Sequence, residues 1–276
     1  MNLGKIEPDR CNFHREYGKN ICMKNDTDRK KEKDRKKRFE ELASQSEANY
    51  AYYFTDFLSP SSAALAYDVV PERMVSSWGG AEGCERVILR FGNPDDFGYD
   101  EPFPIKCIQI EPLQAKFSDA LTHRDFLGAL MNLGIERDTL GDVIVRDNRA
   151  WVFALPHIAE LILHELYQVK HTNISCKVVE TLPSEAAFRL EETETIVPSL
   201  RIDAVLAKLC HLSRGKAKDL VSSGNVLING RLCSNDSYTP KEDDVIVVRG
   251  YGKYIFRGEV RQTGKGNLVV RVDRYV

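Results

Sequence analysis

No uninterrupted apolar run in this sequence approaches the ~20 residues that a membrane span requires. The first residues also lack the apolar core of a signal peptide. Both absences point to a cytoplasmic protein that does not contact a membrane. Cysteine is sparse and scattered: Cys11, Cys22, Cys84, Cys107, Cys176, Cys210 and Cys233 are odd in number and form no Cys-x-x-Cys pair. That spacing excludes a zinc ribbon or a thioredoxin motif and suits reduced core thiols. Cys11, His14 and Cys22 have no evident fourth partner, so no metal site is expected. Gly79-Gly80-Ala81-Glu82-Gly83 is glycine-rich, but no Lys-Ser or Lys-Thr follows and the next element reads as a strand, so it is a turn and not a phosphate loop. His123-Arg124-Asp125 stands without the glycine-rich loop, Val-Ala-x-Lys strand or Asp-Phe-Gly that a kinase needs. No cofactor and no catalytic residue is expected. An excess of one charge is missing as well, with 39 basic residues against 41 acidic ones.

The charge is unevenly distributed. From Pro198 to Val276 there are 14 Lys and Arg against 8 Asp and Glu, so this end is basic while the rest of the chain is acidic. Such an asymmetry is the electrostatic footprint of a polyanion-binding segment. Within it, Ser199 reads as the N-cap of a helix whose apolar stripe is Ile202, Val205, Leu206, Leu209 and Cys210, with Arg201, Asp203 and Lys208 outside the stripe. His211 and Leu212 connect to a second helix capped by Ser213, with Ala217, Leu220 and Val221 as its apolar positions and Gly224 beyond its end. A strand from Asn225 to Ile228, an Asn229-Gly230 turn and a return strand from Arg231 to Cys233 complete the segment. Arg214, Lys216 and Lys218 occupy the first turns of the second helix, where unpaired N–H groups and the positive dipole end already favour an anion. Arg201 and the Asn229-Gly230-Arg231 turn would flank them, with a guanidinium fork for phosphate and a polar turn for sugar or base edges. Ordinary solvated charges on a helical hairpin have the same pattern.

Arg201-Ile202-Asp203, Leu206, Leu209, Ser213-Arg214, Ala217, Gly224, Val226 and Asn229-Gly230 together resemble the RNA-binding module named after small-subunit ribosomal protein S4. Its pattern is an Arg-x-Asp helix start, a Ser-Arg helix start and a Gly-x-Val strand ending in Asn-Gly. Ile202 stands where Leu is usual, and Gly215 weakens the second helix by roughly 1 kcal/mol. The RNA-binding residues are accordingly Arg201, Ser213, Arg214, Lys216, Lys218, Asn229, Gly230 and Arg231. Alanine at Arg201, Arg214 and Lys218 is expected to weaken RNA binding and leave thermal stability nearly unchanged.

The remainder reads as an α+β chain of several domains, in keeping with 276 residues of ordinary globular composition. Residues 1–34 are expected to be a flexible basic tail, in which eight of the ten residues from Arg29 to Arg38 are basic; the run suits a solvated helix start or an arm that touches RNA. An N-terminal α+β domain covers 35–104, with Phe39, Leu42, Ala43 and Tyr50 on a weakly amphipathic helix, a helix over Ser61–Tyr67 and a strand over Glu85–Phe91. A middle domain covers 105–184. Its strand Ile105–Ile110, helix His123–Leu133, strands Asp142–Arg146 and Ala150–Leu155, helix Ile158–Leu166 and strand Ser175–Glu180 follow the βαββαβ order of a ferredoxin-like, RRM-like sheet. Trp151 and Phe153 share the face where such domains stack bases, yet the basic and glycine positions of the usual signature are missing, and core packing suits the pair better. Thr122 and Asp125 form a capping box before the stripe Phe126, Ala129, Leu130 and Leu133. His123 and Arg124 would project from that helix start, as caps or as a secondary RNA contact. An acidic linker over 185–197 leads to the S4-type domain at 198–276.

Phe54-Thr55-Asp56-Phe57-Leu58-Ser59-Pro60, Gly79-Gly80 with Glu85-Arg86, the run from Leu121 to Leu130, Gly134-Ile135-x-Arg137 and Leu140-Gly141-Asp142-x-Ile144, followed by the S4-type module, are similar to the YlmH family over about residues 35 to 260. Members of that family are bacterial cytoplasmic proteins encoded near cell-division genes and implicated in ribosome-associated quality control, where they bind the free large subunit carrying peptidyl-tRNA and support template-free alanine tailing. The resemblance implies a non-catalytic RNA-binding protein, monomeric in isolation, with large-subunit rRNA and tRNA as partners. The alternative is an RNA-modifying enzyme that uses the module as a substrate-binding arm. Against a pseudouridine synthase, Arg201-Ile202-Asp203 belongs to the module itself. Against a methyltransferase, no glycine-rich loop follows a first strand of a doubly wound sheet. The first thirty or so residues depart from the family pattern.

Overall fold

The computed structural model describes the backbone of residues 26–264 and 266–276, and the side chains from residue 29 onward apart from residue 117. Cys11, His14 and Cys22 lie outside the described residues. The chain divides into two compact units, Met23–Arg189 and Leu190–Tyr275.

The first unit opens with α1 (Asp26–Asn49). Phe39, Leu42 and Ser46 recur at helical spacing and are buried. The Phe39 ring lies 5.9 Å from Phe91, and the Ser46 hydroxyl is within hydrogen-bond distance of the Phe91 carbonyl, at 2.9 Å. Residues 26–34, the last part of the tail expected over 1–34, are helical, and residues 1–25 lie outside the described residues. Lys, Arg and Glu are good helix formers, a Glu32–Lys36 pair at 3.5 Å spans one turn, and Lys36 also reaches Asp68 at 2.9 Å. Next come β1 (Tyr53–Phe54), α2 (Pro60–Ala63), β2 (Val75–Trp78), β3 (Ile88–Phe91) and α3 (Pro94–Phe97). The three strands form an antiparallel sheet in the order β1-β3-β2. The helix expected over Ser61–Tyr67 is shorter, with a 3-10 turn at Ala66–Asp68.

Then follow β4 (Lys106–Pro112), α4 (His123–Asn132), β5 (Leu140–Arg146), β6 (Arg149–Ala154), α5 (Pro156–Glu165), β7 (Gln168–Val169) and β8 (Thr172–Val179). Their sheet runs β5-β6-β4-β8-β7 with every neighbouring pair antiparallel. Apart from the short β7, this is the strand order of a ferredoxin-like βαββαβ arrangement. At the start of α4 the Asp125 carboxylate accepts from the Thr122 hydroxyl at 2.6 Å and its N–H at 2.8 Å. The Thr122 hydroxyl, with Lys170 at 2.9 Å, holds that carboxyl at about 2.

Trp151 and Phe153 are 0% and 1% exposed. Phe57 and Ile88, which precede the boundary expected at residue 104, share one core with Ile108, Trp151 and Phe153, so packing does not break there. The glycine-rich turn explains the seal: Gly80 has φ +101°, and a Cβ on it would sit 2.2 Å from the Phe153 ring. A Cβ on Gly141 would likewise fall 2.7 Å from the Phe57 ring and 2.9 Å from the Phe153 Cβ. Arg86 closes this joint, its Nη2 donating to the Phe57 carbonyl at 2.8 Å and its Nε to the Leu140 carbonyl at 2.9 Å. Asp142 accepts from the Glu85 and Arg86 amides. Burial lowers the pKa of both Arg86 and neighbouring Arg137.

The second unit contains β9 (Leu190–Val197), α6 (Ile202–Leu209), α7 (Arg214–Ser222), β10 (Val226–Ile228), β11 (Arg231–Leu232), β12 (Val245–Val248), β13 (Gly252–Gln262) and β14 (Leu268–Tyr275). One antiparallel sheet runs β11-β10-β12-β13-β14-β9. The acidic stretch expected to be a linker is thus, from Leu190 onward, an edge strand paired along its whole length with β14. Cross-strand charge pairs take the place of an apolar alternation there: Glu194 lies 2.8 Å from Arg261 and Glu192 lies 3.5 Å from Arg271. Ile202, Val205, Leu206, Ala217, Val221, Val226, Ile246 and Phe256 build the core between the helices and the sheet. Burial pushes the Cys210 thiol up to about 11, and that of Cys107 in the first unit to about 12, which leaves them as packing groups. Among the described residues no helix is long and apolar enough to cross a membrane.

Candidate nucleic-acid interface

Helix α6 begins at Ile202 with Arg201, and not Ser199, in the capping position. Asp203, which sequence periodicity placed outside the apolar stripe, is 0% exposed. It is the centre of the site. Arg201 donates to it in a bidentate pair, Nε to Oδ1 at 3.1 Å and Nη2 to Oδ2 at 3.2 Å. Arg214 does the same from α7, Nε to Oδ2 at 3.0 Å and Nη2 to Oδ1 at 3.3 Å. Lys218, one turn further along α7, lies 3.9 Å from Asp203 and 3.1 Å from Asp236. Asp236 also meets Arg201 at 3.4 Å. The segment bearing Asp236 is fastened across the start of α6, where Ile202 N–H donates to the Tyr238 carbonyl at 2.7 Å and Asp203 N–H to the Asp236 carbonyl at 3.3 Å.

Burial alone would raise the Asp203 carboxyl, but the hydrogen bonds from Arg201 and Arg214 overcome it and hold the group at about 2. Asp203 is therefore a fixed anion around which three cations are set. Both bidentate pairs with Asp203 use Nε and Nη2 of the guanidinium and do not engage Nη1. Arg214 and Lys218 remain 50% and 47% exposed. Three cations against two carboxylates leave a net positive cluster whose outer edges can take a phosphate oxygen.

The other expected residues are placed differently. The Ser213 hydroxyl accepts from Lys216 N–H at 3.3 Å and caps α7. Lys216 does not join Arg214 and Lys218. Residues two apart on a helix lie roughly 200° around it, and Lys216 instead lines a shallow pocket of about 300 Å³ with Leu212, Asp219, Leu220, Ser223 and Tyr251. Asn229 and Gly230, with φ of 49° and 77°, make the expected hairpin turn. The Asn229 amide is used within the fold: its Nδ2 donates to Asp244 at 2.8 Å and its Oδ1 accepts from Val245 N–H at 2.9 Å. Gly230 is buried in the turn and Arg231 is half-buried at the start of β11. In the other unit His123 and Arg124 are exposed on the first turn of α4. Sequence reasoning missed the organising role of Asp203, although its place two residues after Arg201 was a usable signal. For Asp236, in an irregular segment, there was none. Among the described residues no group of three or more His, Cys, Asp or Glu side chains stands close enough to hold a metal.

Residues 99–182 match a family described as a putative RNA-binding domain in YlmH, and residues 200–246 match the S4 domain. The chain is thus an S4-domain protein with domains of RNA-binding type in both units. It is 25% identical over 214 residues to the ribosome-associated protein quality control protein P2 of Bacillus subtilis (strain 168), covering 74% of this chain and 80% of that one. The domain matches and this relative bear out the resemblance to the YlmH family. The solved cell division protein ylmH from Streptococcus pneumoniae is 23% identical with a TM-score of 0.43, over 58% of this chain and 96% of that one.

Proposed function

We propose that the protein is a non-catalytic RNA-binding factor that holds large-subunit rRNA and tRNA and serves, in the cytoplasm, the quality control of stalled peptidyl-tRNA. The observation that carries this reading is the buried Asp203 with Arg201, Arg214 and Lys218 disposed around it. Two cations from one helix and one from the start of the other are pre-set at fixed spacing, so a phosphate backbone meets them without the entropy cost of gathering flexible side chains. The central carboxylate is ionised and enclosed by guanidiniums, which suits a positioning anion and not a proton carrier. The named role of the Bacillus relative supplies the ribosomal context.

Lys218→Gln tests the site with the least disturbance, because Asp203 keeps both arginines. Its affinity for large subunits or tRNA is expected to fall, with the slope of log K against log salt reduced by about 1 and stability changed by less than about 0.5 kcal/mol. A variant that co-sediments with large subunits as the unaltered protein does, at every salt concentration, overturns the site assignment. Cross-linking in lysate followed by sequencing of the bound RNA is expected to recover tRNA and large-subunit rRNA. One sharply enriched modified nucleotide would point to an enzyme instead.

A further inference from the structure

We infer that the exposed cationic side of α1 is a second RNA-backbone contact, carried by the unit that does not hold the S4 domain. Helix α1 is anchored through its second half, where Phe39, Leu42 and Ser46 are buried. In its first half the inward positions are tied to the fold by polar groups: Arg35 donates to the Ser62 hydroxyl and Lys36 meets Asp68. Arg29, Lys30, Lys31, Lys33, Lys37 and Arg38 are all exposed. Lys30, Lys33 and Lys37 follow one another at i, i+3 and i+7, a file about 10 Å long on the side of the helix away from Phe39.

Like charges at this spacing each oppose the helix by about 0.2–0.5 kcal/mol. Glu41 meets Lys37 and Arg38 at 3.8 and 3.6 Å, but these are exposed pairs of small worth, at the far end of the run. Glu32 is turned to Lys36. The fold therefore has no packing use for the outward cations, and they repel one another in a chain whose overall charge is slightly negative. A polyanion reverses that balance, since each phosphate neutralised releases condensed counterions. A bilayer surface fits less well. An interfacial helix needs an apolar face to insert, and that of α1 is already consumed by its own core. RNA is the polyanion favoured by the RNA-binding-type domain matched at residues 99–182 of the same unit.

The inference rests on the reading of the protein as RNA-binding, and its test separates the two. The full chain with Arg29→Gln, Lys30→Gln, Lys33→Gln and Lys37→Gln is titrated with a fluorescent, structureless single-stranded RNA and with tRNA across a salt series, beside Lys218→Gln. The helix variant is expected to reduce the salt slope on the single strand by about 2 to 3. A charge-conserving variant, Lys30→Arg with Lys33→Arg and Lys37→Arg, is expected to retain the slope. Unchanged affinity and slope in the glutamine variant, with Lys218→Gln impaired, overturns the α1 contact and leaves the S4 site standing. The opposite pattern keeps α1 and overturns the S4 site. Binding to phosphatidylserine vesicles that the glutamine variant loses, while its RNA affinity stays intact, assigns α1 to a membrane and also overturns the inference. Far-UV circular dichroism is expected to show the same helicity in all variants.

Discussion

Arg214→Ala is expected to lower the stability of the C-terminal unit by about 2 to 3 kcal/mol, beyond any effect on RNA. Removing one partner of a buried ion pair strands the other in a medium that cannot solvate it, which costs about 3–5 kcal/mol when both are fully buried. Arg214 is half exposed and Arg201 stays in place, so the cost falls at or below the bottom of that range. This revises the sequence-based expectation that alanine at Arg201, Arg214 and Lys218 leaves stability nearly unchanged. The neutral result holds only for Lys218, which stands 3.9 Å from the buried carboxylate. The pH dependence follows from the same group. Asp203 is held at about 2 in the folded protein, against roughly 3.9 for an aspartate in an unfolded chain. Its stabilising contribution is fully present above about pH 4 and disappears as the pH falls from about 4 to 2. Arg214→Ala removes part of the interaction that depresses the carboxyl, so the variant and the unaltered protein should converge in acid. Urea unfolding at pH 7 and pH 3, followed by hydrogen exchange on α6 and α7, reads the difference. Equal stability at pH 7 would show that Asp203 does not depend on the guanidiniums.

The second large effect lies in the other unit, where Gly80→Ala is expected to cost about 3 kcal/mol or more. Two terms add. The residue has φ +101°, which an L side chain adopts only under strain of order 1–3 kcal/mol. The new Cβ would also fall 2.2 Å from the Phe153 ring, and overpacking a closed core costs a further 1–3 kcal/mol. Both tryptophans, Trp78 and Trp151, belong to this unit, so a urea melt followed by tryptophan fluorescence reports on it alone. A melt that superimposes on that of the unaltered protein would mean that the turn does not seal the sheet. The seal matters for function. With Gly80 and Phe57 packed over Phe153, the face where an RRM-like domain would stack bases is closed, and Trp151 and Phe153 act as core. The Gly-Gly, Glu-Arg and Leu-Gly-Asp segments that carried the family resemblance in the middle of the chain meet at this joint: the glycines admit the rings, Arg86 fastens three carbonyls and Asp142 receives two amides.

The helical hairpin of the S4 domain was legible because its signals are local. Ser213 caps α7 through a bond three residues away, Gly224 ends it at φ 72°, and Asn229-Gly230 takes the left-handed conformation that its turn demands. The βαββαβ order was legible for the same reason, from runs of apolar residues at strand or helix spacing. Strand β9 was not. Leu190-Glu191-Glu192-Thr193-Glu194-Thr195-Ile196-Val197 has no apolar alternation to read, and it is a strand because β14 offers it a full ladder, with Arg271 of β14 and Arg261 of β13 meeting its glutamates.

The sequence alone determined the helical hairpin of the S4 domain, the βαββαβ order, where the basic charge is concentrated and which family the chain resembles, because spacing, caps and turn residues act over a few positions. Only the tertiary structure decided how those charges are used. Bringing α6, α7 and the Asp236 segment together buries Asp203 and makes it the hub of Arg201, Arg214 and Lys218, turns Lys216 to the opposite flank, and occupies the Asn229 amide with Asp244. Burial and the meeting of residues distant in sequence are properties of the packed chain, and they separate a cation that orders a site from one that merely faces solvent.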